Sequence, residues 1–171
     1  SNQTRDIKKI STKKTEIVNK DTLKISKINI KNDITSGLQT ISYYKKKIKK
    51  HLSVMHSVGE NAEKNYQKSL EELKKNKEKV SDILYREYQV TSESNYLKRQ
   101  QIIETIRALK SENSIPMLTE VALEKLPEEK SKDLHHGSTQ LEEGIIRLTA
   151  IEGLGYFAKE GKKNTLETLI D

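Results

Sequence analysis

The chain has 171 residues, of which 33% are hydrophobic and 33% charged, and a formal net charge of +7. That length favours one domain or one domain with an extension, and the lean apolar share suits an elongated helical stack better than a compact globule. Cysteine is absent and no apolar run nears the length of a membrane span, which excludes disulfide frameworks, thiolate metal sites and a transmembrane helix.

The positive charge is uneven. Residues 1–58 hold 14 Lys+Arg against 4 Asp+Glu, whereas residues 59–171 hold 18 against 21, so the basic character belongs to the N-terminal third. Lysine dominates it, with isoleucine and asparagine also frequent, a usage that AT-rich genomes produce without selection for binding.

Residues 1–32 are polar, lysine-rich and free of aromatic residues, and read as a basic flexible extension. Leu23, Ile25, Ile28 and Ile30 hint at alternation, broken between Ile25 and Ile28, which allows a short extended stretch within the tether; an edge strand or extended arm laid along the helices is the rival reading. The remainder, 33–171, reads as an α-helical repeat domain made of an N-terminal hairpin (33–90) and a C-terminal part (95–171).

The first helix is expected to start at Asp33, a suitable N-cap, and to run to Gly59. Ile34, Leu38, Ile41, Tyr44, Ile48, Leu52 and Met55 recur at steps of three and four, which makes one apolar stripe. A second stripe carries Ala62, Tyr66, Leu70, Leu73, Val80, Ile83, Leu84 and Tyr88. Lys77 interrupts it, so one long helix or two shorter ones are both open. The two stripes, joined by a short turn, should pack antiparallel.

Thr91–Ser94 is a turn cluster, with Ser94 or Asn95 placed to cap a helix over Tyr96–Lys110. Leu97, Ile102, Ile103, Ile106 and Leu109 should face inward there. A helix over 115–126, with Pro116 in its first turn, should bury Met117, Leu118, Val121, Ala122 and Leu126. After Pro127 and a charged loop, a helix over 138–160 should carry Leu141, Ile145, Ile146, Leu148, Ile151, Leu154 and Phe157 inward. Gly161 ends it, and a short last helix is expected over Asn164–Ile170.

The C-terminal part repeats itself. Shifted by 48 positions, Arg99 falls on Arg147, Ile103-Glu104-Thr105-Ile106 on Ile151-Glu152-Gly153-Leu154, Leu109 on Phe157 and Leu118 on Leu166. A fixed period with matching apolar positions marks stacked helical units. The strings RQQIIETIRAL and IPMLTEVALEKL, then RLTAIEGLGYFAKEG and NTLETLI, resemble HEAT repeats over about residues 95–171. An early Arg, an apolar run ending in Leu-Gly and a proline near a first-helix start carry the resemblance. An acidic residue at the start of the second helix is not evident, and the Glu128–Gly137 loop is long for the pattern. The resemblance implies an all-α fold of antiparallel hairpins stacked as a short α-solenoid, and a binding or scaffolding role.

Candidate sites are few. Lys45, Lys46, Lys47, Lys49 and Lys50 form a basic cluster beside the first stripe, suited to phosphates or anionic headgroups, or else a solvated face whose stems cover apolar surface. Tyr43 and Tyr44 stand next to it, but Tyr44 belongs to the core stripe. Arginine occurs at only five positions, which argues against base-specific DNA reading. His135-His136, near Asp133 and Glu128-Glu129, lack a second ligand pair and read as loop histidines. Gly153-x-Gly155 sits within a helix with no preceding strand, so it is not a phosphate loop; small residues there let helices approach. Glu142 and Glu143 point to different faces and cannot work as an acid–base pair.

The expectation is therefore a non-enzymatic scaffold or adaptor with no cofactor and no metal, binding an unidentified protein partner. Nucleic acid or anionic membrane bound by the basic third is the alternative. Self-association through the C-terminal helix is a further option for partners. Localisation stays open between an exported, membrane-tethered bacterial protein and an intracellular one.

Overall fold

In a computed structural model of the chain, the residues described are 40–129 and 138–161. The expected extension, the helix start at Asp33, the His135-His136 pair and the last helix lie outside them. The chain divides into two compact units, Ser1–Tyr43 and Tyr44–Asp171. Residues 40–43 of the first are helical.

The described part of the second unit is all-helical, with no strand among the described residues. Its helices are α1 (44–54), α2 (Ala62–Lys74), α3 (Lys77–Val90), α4 (Tyr96–Leu109), α5 (Ser114–Leu123) and α6 (Thr139–Lys159). Ile48 and His51 in α1 and Met55 just past its end are buried, following the three-and-four spacing of the stripe. Lys47 pairs with Glu72 at 3.7 Å and His51 with Ser69 at 2.7 Å, so residue numbers rise along α1 as they fall along α2. That is the expected antiparallel hairpin. The turn between them uses left-handed backbone at His56 (φ 60°) and at Gly59 (φ 122°), where a side chain would be strained.

The second stripe resolves into two helices, α2 and α3. Lys77, which interrupts it, donates Nζ–H to the Lys110 carbonyl at 3.2 Å, so its charge lies at the open C-terminal end of α4. Asn95 caps α4, accepting from the Lys98 amide at 3.4 Å. Asn113, ahead of α5, ties that helix to α3 by donating to the Glu78 carbonyl (3.0 Å) and to Asp82 (2.7 Å).

α4 is central, packing against α2, α3, α5 and α6. Its Ile102, Ile103, Ile106 and Leu109 join Leu73, Val80, Leu84, Leu118, Val121, Ile146, Ala150, Leu154 and Phe157 in one core. A buried polar cluster crosses this core. The Arg99 guanidinium bonds Glu143 of α6, donates to the Tyr88 hydroxyl at 2.7 Å and lies 4.7 Å over the Tyr88 ring. Glu124, just past α5, stands 3.7 Å from the same guanidinium and accepts from Tyr88 at 3.3 Å. Burial pushes the Tyr88 phenol up to about 12, so it stays a neutral donor.

Several residues expected inside are outside. Leu97 is 61% exposed: it lies five residues from Ile102, about 140° round the helix. Leu126 is exposed because α5 ends at Leu123, where Glu124 turns to φ −53°, ψ 142° and sends its carboxylate to Arg99. On α6 the inner face is taken by Ile146, Ala150, Leu154 and Phe157, which leaves Leu141, Ile145, Leu148 and Ile151 exposed. Apolar residues surround α6, so periodicity alone did not select its inner face.

Gly153 does. A Cβ there would sit 2.9 Å from Leu118 Cδ1 and 3.3 Å from Arg107 Cγ, so glycine lets α6 settle onto α4 and α5. Gly155 has nothing within 4 Å of the same position. The N-terminus of α6 is closed by Ser138, which accepts from Leu141 N at 3.2 Å, and by Glu129, which accepts from Ser138 Oγ, Thr139 N (3.0 Å) and Gln140 N (3.3 Å).

Candidate functional site

A groove of about 630 Å³ runs between α1, α3 and the first turns of α4. Lys45, Ile48, Lys49 and Leu52 share one face of α1 because they stand at i, i+3, i+4 and i+7. Ile83 and Glu87 line it from α3; Leu97, Lys98 and Gln101 line it from α4, with Asn95 at the cap. Gln101 also donates to the Leu52 carbonyl at 3.4 Å, which ties α4 to α1 beneath the groove.

The floor is apolar, made by Ile48, Leu52 and Ile83, and Leu97 presents an exposed isobutyl group beside it. The rim is basic on one side only. Lys98 meets Glu87 at 2.6 Å, so those charges offset each other across the α3–α4 wall. Lys45 and Lys49 on the α1 wall have no ion pair among the described residues. The groove thus offers a desolvating strip flanked by two lysines with no ion pair among the described residues, which suits an apolar segment bearing carboxylates.

The basic cluster is divided by the helix. Lys45 and Lys49 turn into the groove, Lys46 and Lys50 stand exposed on α1, and Lys47 leans the other way to Glu72 at 3.7 Å. Tyr43 is exposed, whereas Tyr44 is half-buried against the core with Lys79 Nζ 5.9 Å from its ring centre. His51, next to the cluster in sequence, is not part of any basic surface. It is 0% exposed, and burial holds its pKa down at about 4. Ser69 donates its hydroxyl to the Tyr66 carbonyl at 2.8 Å, so it accepts from His51 Nδ1–H, and the buried Nε2 keeps a lone pair with no partner.

Glu129 caps α6, and among the described residues, which leave out Asp133, His135 and His136, no group of three or more His, Asp or Glu able to hold a metal occurs. Glu142 and Glu143 do diverge, Glu143 being buried on Arg99 and Glu142 half-exposed. Among the described residues, no helix is long and apolar enough to cross a membrane. The groove residues of α3 and α4 were missed from the sequence, because only packing brings α1 beside α4. The one local signal was Leu97, an apolar residue off the buried face.

No known family model matches the chain, and neither a curated protein nor a solved structure matches it.

Proposed function

We propose that the chain is a non-enzymatic, helical-repeat scaffold of the HEAT-like kind, which holds a partner protein by an acidic, apolar segment laid in the α1–α3–α4 groove. The observation that carries this reading is the lining: Ile48, Leu52, Ile83 and Leu97 supply apolar area, while Lys45 and Lys49 flank it without ion pairs among the described residues. Apolar contact gives such a site affinity that survives salt, and the lysines give it a preference for carboxylates. The stacking of α4 with α6 and the 48-residue shift between their sequences support the repeat reading.

The exposed lysines of α1 also keep nucleic acid in view as the competing partner. Two probes separate the readings by fluorescence anisotropy at low and near-physiological salt. One is a model amphipathic helix with leucine and glutamate on one face; the other is duplex and single-stranded nucleic acid. The scaffold reading expects the peptide to bind at both salt levels and to be lost with Leu52→Asp or Leu97→Glu. Nucleic acid that stays bound at near-physiological salt, and is released when Lys45, Lys46, Lys47, Lys49 and Lys50 are changed to Glu, would replace it.

A further inference from the structure

α4 and α6 are related by the 48-residue shift, and their buried faces agree. Ile102 and Ala150, Ile106 and Leu154, and Leu109 and Phe157 are buried in both. The agreement stops on one flank. On α4, Arg99, Ile103 and Arg107 stand at steps of four and form one stripe. Helix α6 covers it: Glu143 pairs with Arg99, Glu152 pairs with Arg107, and Ile103 between them is 0% exposed.

Shifted by 48, the same stripe on α6 is Arg147, Ile151 and Gly155. Ile151 is 44% exposed, and a Cβ on Gly155 would meet no atom within 4 Å. Arg147 hides Nε and Nη2 from water with no hydrogen-bond partner. Shielded, unsatisfied guanidinium N–H groups are costly, and α4 shows what relieves such a residue here, a carboxylate from the next helix. Leu148, beside the stripe, is exposed as well, so α6 is apolar on both sides, a pattern of helices covered on both.

We propose that the Arg147–Ile151–Gly155 stripe is the docking face for an amphipathic helix of a partner polypeptide, which adds to α6 as α6 adds to α4. The occupant carries an Asp or Glu where Glu143 stands against Arg99, an apolar residue over Ile151, and a backbone that comes close over Gly155. A second copy of α6 does not meet this description, because its Glu143, Glu152 and Gly153 are already engaged with α4 and α5 in its own chain. The groove plays no part in this face, which rests on the correspondence between α4 and α6.

The probe is a labelled peptide of residues 138–161, whose Glu143, Glu152 and Gly153 already suit a stripe of this kind, titrated against the full chain by anisotropy. Saturable binding is expected, weakened at least about tenfold by Arg147→Gln in the protein or Glu143→Gln in the peptide. Gly155→Gln, which favours the helix while blocking close approach, should weaken it too, with an unchanged far-UV spectrum. No saturable binding, or binding indifferent to Arg147, overturns the proposal. So does binding abolished by Arg99→Gln but not by Arg147→Gln, since the peptide would then be displacing α6. Sedimentation supplies the last checks. A dimer dissolved by Ile151→Glu would give the stripe to a second copy, and peptide binding seen only after removal of 162–171 would give it to the chain's own end; either result overturns the proposal.

Discussion

Acid should loosen this protein through His51. The folded imidazole is fully buried with a pKa near 4, against an ordinary 6.5. Between those values the unfolded chain takes up a proton that the native state refuses. Stability is therefore full above the unfolded value and falls as pH drops from about 6.5 towards 4, levelling off below. The gap in pKa corresponds to about 3 kcal/mol at most, lost at no more than about 1.4 kcal/mol per pH unit. The cause is local: protonating Nε2 places a charge where no acceptor stands, while Nδ1–H is already committed to Ser69. His51→Asn is the matching perturbation, because its amide can still donate to Ser69 Oγ while nothing titrates. The variant should be less stable at pH 7 by about 1–3 kcal/mol, from lost packing on Tyr66. Urea unfolding followed by far-UV circular dichroism, at steps from pH 7 to 4, reads both slopes. Carboxylates titrate alike in the two proteins and cancel in the comparison. Parallel stability curves would refute the assignment of the acid loss to His51.

Three further outcomes follow from the core. Gly153→Ala should destabilise by about 1–3 kcal/mol, since its Cβ meets Leu118 and Arg107, whereas Gly155→Ala should stabilise by about 0.5–1 kcal/mol; thermal melts giving both the same sign would contradict the placement of α6. Glu143→Ala should cost about 2–3 kcal/mol by removing the more buried of the two carboxylates on Arg99, which keeps Glu124 at 3.7 Å, and the paired change Arg99→Met with Glu143→Leu should recover most of it in urea titrations. Leu154→Asp and Ile106→Asp each put a charge at a fully buried position and should abolish cooperative unfolding of α4–α6; a soluble, cooperatively melting variant of either would show the register to be wrong.

Much of the helix layout could be read from local chemistry. Asn95, one of the two cap candidates, does cap α4, and the spacing of Ile48 with Met55 marked the side of α1 that is buried. The early end of α5 could not be read, because Glu124 leaves the helix for Arg99, a residue supplied by α4. The inner face of α6 was equally hidden. With apolar residues all round, the choice fell to Gly153 against Leu118 and to Glu143 against Arg99, both long-range fits. The basic cluster was legible as composition, but its division between groove, solvent and Glu72 depends on where α1 meets α2 and α4.

The clasp at the start of α6 has a practical side. Glu129 holds Ser138, Thr139 and Gln140, so the two ends of the intervening stretch are pinned together whatever length of chain joins them. Lengthening a closed loop is cheap, about 0.6 kcal/mol for each doubling. An epitope or a small reporter domain spliced between Glu129 and Ser138 should therefore leave the melting temperature nearly unchanged. Because the chain has no cysteine of its own, one thiol placed in such an insert would be a unique attachment point for a dye or spin label.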